Sequence, residues 1–375
     1  MKMNLGKVVT IVLLAVGSTL FASNTTQKRK VKNNPKKVLA VMEKVADWQL
    51  DSWKKNGVTS EKWDWTNATG YSGLFQLGKI SKNTRYIETL MAFGKELNWN
   101  TGPNRFYADD YCIGQTYSNL YLKYKDPKMI AKFRQLADSI VAQDHTESLE
   151  WKNDINHREW AWCDALFMGP PSIALLSKAT GDRKYLDITD KLWWKTYNYL
   201  YDKEEHLYFR DGSNFTKREK NGKKVFWSRG NGWVMAGLVM LIDNMPKDYP
   251  SRPKYIALYK EMAIKMASLQ QPDGSWHTSL LDPTSFDVIE TSGTGFYTYA
   301  LLWGINNGTL NKKKFAPVVE KSWAALVSAV QPDGMLGYVQ PIGWKPAPAT
   351  KNSTAIFGVG AFLLAGSEMY KYVSK

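Results

Sequence analysis

Five short polar turns along the chain each lead into an aromatic or large apolar residue that opens an amphipathic stretch: KNTRYIETLM from Lys82, KDPKMIAKF from Lys125, GDRKYLDITD from Gly181, SRPKYIALYK from Ser251 and NKKKFAPVVE from Asn311. Apolar residues at helical spacing on one face predict helices that pack on one side and meet water on the other. With a further helix from Lys36 to about Trp53, these make six outer helices. Between them lie six segments richer in glycine, aromatics and aliphatics, beginning near Trp65, Asp109, Trp162, Trp227, Glu290 and Ser353. Being apolar on most faces, they predict buried inner helices. QPDGSW at 271 and QPDGML at 331 each precede an inner segment by about twenty residues, an internal period of the kind repeat architectures show. Six helical hairpins closed into a ring give an all-α fold, an (α/α)6 barrel, as a single domain over residues 38–375.

In such a ring the N-terminal ends of the inner helices point to one face, and the loops before them form a cleft. The residues there are Trp65, Asp109 with Asp110, Trp162 with Asp164, Trp227 with Arg229, Glu290 with Ser292, and Ser353. Carboxylates, a cation and several indoles thus share one rim.

Composition adds three points. Lys2 and Lys7 precede an apolar run from Val8 to Phe21 that ends in the small residues Ala22 and Ser23, which predicts a signal peptide over residues 1–23 and an exported protein, with the periplasm as the expected compartment. No cysteine lies in residues 1–40, which excludes a lipid-anchored cysteine at the cleavage site, and no later segment has the apolar length of a membrane span. Residues 24–37, rich in Asn, Lys and Thr, predict a disordered start of the mature chain. The net charge of +15 is compatible with solvent-facing lysines or an anionic substrate; scattered among Trp and Tyr along the whole chain, the basic residues form no stripe for nucleic acid. Cys112 and Cys163 can be free thiols or a disulfide. Four dispersed histidines offer no cluster at zinc spacing, so no metal or other cofactor is expected. The oligomeric state is not readable.

Aromatic platforms with a few carboxylates suit carbohydrate, because pyranose C–H faces pack on rings while hydroxyls need directional partners. Phe226 to Gly237, FWSRGNGWVMAG, flanks an arginine and two glycines with Trp227 and Trp233, so a ligand could approach the backbone there. Arg229 predicts either a bidentate grip on a sugar carboxylate or a cap on another helix. A free aspartic acid ionises far below neutral pH, so an acid catalyst needs burial or a second carboxylate to keep its proton. Trp162, Phe167 and Met168 would bury Asp164, and Asp109 or Asp110 would supply the like charge.

WSRGNGW (227–233), WCDALFMGPP (162–171), ADD (108–110) and DGSWHTSLLD (273–282) followed by ETSGTGFYTYAL (290–301) together resemble the unsaturated rhamnogalacturonyl hydrolases of glycoside hydrolase family 105, over about residues 36–372. The unsaturated glucuronyl hydrolases of family 88 are the second resemblance. What it implies is a hydrolase that removes 4-deoxy-4,5-unsaturated uronic acid from the non-reducing end of oligosaccharides left by polysaccharide lyases. In that chemistry an aspartic acid protonates C4, water adds at C5, and the hemiketal opens to expel the remaining sugar. By similarity Asp164 is the acid and base and Asp109 its partner; Trp227, Arg229, Asp110, Arg210, His157, Trp162 and Trp233 are expected around the substrate. Residues 206–212, HLYFRDG, place Arg210 where many members have a histidine, and His157 stands away from the usual histidine position, so glucuronyl and galacturonyl units joined to rhamnose both fit. A polysaccharide lyase or a noncatalytic acidic-sugar-binding protein on the same barrel is the alternative; a triterpene cyclase would need an acidic DxDD motif that the chain lacks.

Overall fold

The computed structural model describes residues 33–104, 106–151 and 159–375. The expected signal peptide and most of the expected disordered start lie outside these residues. The first helix begins earlier than the sequence reading had it: Pro35 occupies the first turn, and the Asn34 side chain accepts a hydrogen bond from the Lys37 amide. Proline has no N–H to leave unpaired there, and asparagine satisfies one that would be.

Outer and inner helices alternate along the chain: outer α1 (Pro35–Asn56) with inner α2 (Trp65–Gly78), outer α3 (Arg85–Glu96) with inner α4 (Gly114–Tyr124), and outer α5 (Lys128–Val141) with an inner pair, α6 (Ala165–Met168) and α7 (Pro170–Thr180). Outer α8 (Lys184–Leu200) precedes inner α9 (Ser228–Asn244), outer α10 (Arg252–Ser268) precedes inner α11 (Thr291–Asn306), and outer α12 (Lys312–Ser328) precedes inner α13 (Ile356–Ser374). The outer helices bury one stripe, as in α1 with Val38, Met42, Val45, Ala46, Gln49 and Trp53. Inner α11 is buried from Thr291 through Ile305. Each inner helix packs on the next, α2 on α4, α4 on α7, α7 on α9, α9 on α11, α11 on α13, and α13 back on α2. The ring is closed, and the fold is the expected (α/α)6 barrel.

Three departures from the expected pattern bear on the rim. The segment at Asp109 is a 3-10 turn, Ala108–Tyr111, and the α-helix starts only at Gly114. The segment after Trp162 breaks at Gly169, because Pro170 and Pro171 cannot donate backbone hydrogen bonds and restart the helix as its first turn. Between α8 and α9 the chain makes a small antiparallel hairpin, β1 (Tyr201–Asp202) with β2 (Leu207–Tyr208), and a long excursion up to Trp227. A helical period could not have revealed it.

The seam between the first and last inner helices is closed by glycine. A Cβ on Gly360 of α13 would lie 2.4 Å from the Thr69 carbonyl oxygen of α2, and one on Gly73 of α2 would lie 2.6 Å from the Gly360 carbonyl oxygen. Backbone faces backbone here, so neither side can yield by rotating a side chain. Gly360→Ala is therefore expected to cost about 2 kcal/mol through overpacking, read as a lowered urea midpoint with an unchanged slope.

Candidate active site

The 3-10 turn points its two aspartates in different directions. Asp110 accepts a 2.6 Å hydrogen bond from the Asn104 amide, and its carbonyl takes the Gly102 amide at 2.7 Å. Its carboxylate thus clasps its own loop. Asp109 is buried; the Tyr107 hydroxyl bonds its carboxyl group, and Oδ1 has no hydrogen-bond partner among the described residues. Burial pushes Asp109 up to about 7, with the Asp164 charge adding to the rise against the opposing Tyr107 bond and Arg210 charge. Of the two carboxylates the sequence could not separate, Asp109 is the one with an uncommitted oxygen.

Asp164 stands at the start of α6 without capping it. Burial raises its pKa, while the charges of Arg210 and Arg229 pull it back. The Cys163 thiol donates to Oδ2 at 3.4 Å, and Arg210 Nε lies 3.7 Å from the same oxygen. An isolated antiparallel bridge between Trp162 and Asp211, with the Cys163 amide donating to the Arg210 carbonyl at 2.8 Å, ties the excursion to this turn. That pairing brings Arg210 beside Asp164. Arg210 also donates to Asp211 at 2.8 Å and lies under the Trp151 ring at 4.6 Å. Trp162, nearly buried, packs against Tyr107 and Trp151 with ring centroids 5.4 and 6.4 Å away.

Arg229 does not present a grip for a carboxylate. It is 1% exposed, its guanidinium lies between the Trp227 and Phe357 rings, and it donates to the carbonyls of Gln340 at 2.6 Å and Pro341 at 2.9 Å. Burial lowers its pKa to about 10, with Glu290 and Asp164 opposing. Of the two roles the sequence allowed, a carbonyl-binding one is realised, toward the chain ahead of α13 instead of a helix end. Trp227 is likewise committed, donating Nε1–H to Gln340 Oε1 at 2.8 Å. Trp233 is a core residue, packed among Trp65, Phe167 and Phe296. Burial of these indoles leaves a substrate no ring face to reach. His157 lies outside the described residues.

Arg210 is the cation the geometry offers in place of Arg229, its guanidinium partly accessible and its Nε without a hydrogen bond among the described residues. Tyr107, Trp151 and Asp211 were not anticipated, because the excursion and turns that hold them carry no periodic signal. Cys112 and Cys163 are free buried thiols whose pKa values burial raises. Among the described residues no group of three His, Cys, Asp or Glu side chains is arranged to hold a metal ion.

The folded chain holds the Asp109 proton up to about pH 7, whereas an unfolded aspartate releases it near pH 4. Folded stability therefore falls as pH rises through that window. Asp109→Asn removes this loss, so the variant should gain stability over the parent by a few kcal/mol at pH 8 and by much less at pH 4. Thermal melts at the two pH values measure the difference; an equal gain at both would mean that Asp109 is ionised at pH 4.

The model of Glycosyl Hydrolase Family 88 matches residues 41–373. A relative named unsaturated 3S-rhamnoglycuronyl hydrolase from Formosa agariphila is 42% identical over 322 residues, covering 82% of this chain and 84% of that one. A solved structure described as a polysaccharide lyase aligns with a TM-score of 0.82 at 32% identity, over 91% of this chain and 98% of its own. A family 88 glycosyl hydrolase from Bacteroides vulgatus aligns at 0.81 and 30% identity, over 91% and 100%. A possible family 105 member from Salmonella enterica shares the fold at 0.74 and 17% identity, over 95% and 100%. The motif resemblance is borne out across the barrel, and the chain belongs to Glycosyl Hydrolase Family 88, an enzyme family of glycoside hydrolases.

Proposed function

We propose that the enzyme removes a 4-deoxy-4,5-unsaturated uronic acid, glucuronyl or galacturonyl and joined to rhamnose, from the non-reducing end of lyase-generated oligosaccharides. The observation that carries this reading is the pair of carboxyl groups on one rim, Asp109 buried and pushed up to about 7 and Asp164 part-buried and raised above the ordinary aspartate value, with Arg210 beside them. The names of two relatives, unsaturated 3S-rhamnoglycuronyl hydrolases from Formosa agariphila and an Alteromonas species, support the substrate class. Export by the N-terminal segment is part of the proposal, and sequencing the N-terminus of secreted protein tests it.

In this mechanism Asp164 is the proton donor, and burial raises its pKa in the direction that role needs. Its proton goes to C4 of the enol ether, and the positive charge that develops at C5 is shared with the ring oxygen. Water then adds at C5 and gives its proton back to the Asp164 carboxylate. The resulting hemiketal opens, leaving a ketone at C5, and the hemiacetal at C1 releases the remaining sugar. No nucleophile has to reach C1. Asp109 shares the electrostatic field of Asp164 and offers Oδ1 to the substrate or the water. Arg210 neutralises the uronate carboxylate.

The same neighbourhood of structures favours one competitor, a lyase, through the neighbour described as one. A lyase creates the enol-ether ultraviolet band, whereas the proposed hydrolase destroys it. Incubation with unsaturated uronyl–rhamnose disaccharides should therefore bleach the band, and in heavy water the released sugar should carry deuterium at C4. Saturated uronides should stay intact; their cleavage at a comparable rate would sink the hydration mechanism. Asp164→Asn should lower kcat at least ~100-fold with the fold intact, the scale of a lost general acid. Arg210→Ala, which removes a charged hydrogen bond worth roughly 1.5 to 3 kcal/mol, should raise KM by at least ~10-fold. An unchanged KM would confine Arg210 to holding Asp211.

A further inference from the structure

A sulfur backs the acid at the start of α6. The Cys163 thiol donates to Asp164 Oδ2 at 3.4 Å, and Arg210 Nε approaches the same oxygen at 3.7 Å. Both side-chain donors converge on Oδ2, and Oδ1 receives neither. The Asp164 side chain keeps 14% of its surface open. Cys163 is fully buried and held along its backbone, its amide donating to the Arg210 carbonyl at 2.8 Å and its carbonyl accepting from the Leu166 amide at 3.1 Å. The arginine–glycine motif makes room for the sulfur from the other side. A Cβ on Gly230 would lie 3.0 Å from Cys163 Sγ and 3.1 Å from the Trp227 ring, so a side chain there would press the thiol out of place. The other buried thiol, Cys112, sits differently, accepting from the Gln115 side-chain amide at 3.8 Å.

A protonated carboxyl group has one carbonyl-type oxygen, which accepts hydrogen bonds, and one hydroxyl oxygen, which carries the proton. A donor aimed at Oδ2 favours Oδ2 as the acceptor and leaves the proton on Oδ1. We propose that Cys163 is a positioning residue for the proton transfer: its thiol, with Arg210, occupies Oδ2 of Asp164, so that Oδ1 is the oxygen that delivers the proton to C4. The assignment rests on the reading of Asp164 as the acid of an unsaturated-uronyl hydrolase and specifies which of its oxygens acts. Once the proton has left Oδ1, the thiol and the guanidinium stabilise the carboxylate at Oδ2, and the proton released by the added water returns to Oδ1. No bond to sulfur forms or breaks. The thiol keeps its hydrogen throughout, as its burial favours.

The pH dependence of kcat tests this with the full-length enzyme, read as bleaching of an unsaturated uronyl–rhamnose disaccharide. A hydrogen bond to the charged form lowers the pKa of an acid, so its removal raises that of Asp164, and activity that needs the protonated acid then persists to higher pH. Cys163→Ala should move the alkaline limb of kcat upward by about half a pH unit. Its kcat at the optimum should fall roughly 10-fold, the scale of one lost hydrogen bond to a charged group, with KM within about twofold because the thiol touches no substrate. Cys163→Ser keeps a donor and should retain most of kcat with the parent's alkaline limb. A packing role predicts instead that the two variants behave alike, since both lose the sulfur, and that neither moves the limb. Thermal melts establish that the variants are folded; should Cys163→Ala fail to fold, Cys163→Val, which fills the volume without a donor, is measured in its place. An active parent whose kcat and alkaline limb are matched by Cys163→Ala would overturn the role of the thiol alone. A parent enzyme that leaves the band unbleached would remove the hydrolase reading, and the assignment of Oδ1 with it.

Discussion

The rim depends on a charge that is never offered to solvent. Arg229 lies between two aromatic rings and donates to the carbonyls of Gln340 and Pro341, and its counter-charge is Glu290, which itself caps α11 through the amides of Ser292 and Gly293. A buried guanidinium needs bonded donors and a nearby carboxylate; Arg229 has both terminal nitrogens bonded and Glu290 near, while its Nε has no hydrogen-bond partner among the described residues. Satisfying it joins α9, α11 and the approach to α13 in one polar cluster, at the face where every inner helix begins. The glycines beside it fit the same arrangement: a Cβ on Gly293 would lie 2.7 Å from Ser228 Oγ and 3.0 Å from Glu290 Oε2. The motif at 227–233 is thus a structural hub whose product is the shape of the rim.

How far the sequence disclosed this depended on whether the relevant signal was local. Amphipathic outer helices and apolar inner ones write their period into the chain, so the barrel and its hairpin count were legible, and so was the face on which the inner helices start. Asp164 was singled out by the resemblance carried by WCDALFMGPP, and the apolar residues around it pointed to its burial. Arg229 and Trp233 were misjudged in a consistent way: residue types suited to sugar were read as sugar contacts, when a ring of inner helices also needs large aromatics to fill its middle. Whether an indole faces a ligand or the core depends on partners such as Phe167 and Phe296, brought in from other hairpins. Arg210 reaches its place through a bridge to Trp162 across a non-periodic excursion, which no spacing rule encodes.

Around Asp164 the chain balances opposing demands. Burial favours the protonated carboxyl, whereas Arg210 and Arg229 favour the carboxylate. Burial and the two guanidinium groups thus act in opposite directions on one carboxyl group, with burial the larger influence. Arginine suits this position because it keeps its charge at any physiological pH. A histidine there would make the balance itself depend on pH.

Closing the ring with α2 against α13 also governs the order of events during synthesis. The first inner helix leaves the ribosome with one flank unpaired, and its partner is the last helix of the chain. Until that segment emerges, the apolar flank of α2 and the facing side of α11 have nothing native to cover them. The barrel is a fold of high sequence separation at its decisive contact, so its final step pays the loop-closure entropy of nearly the whole chain. A chain of this kind keeps apolar helix faces open until its last segment is available, and over that interval they are prone to non-native contacts.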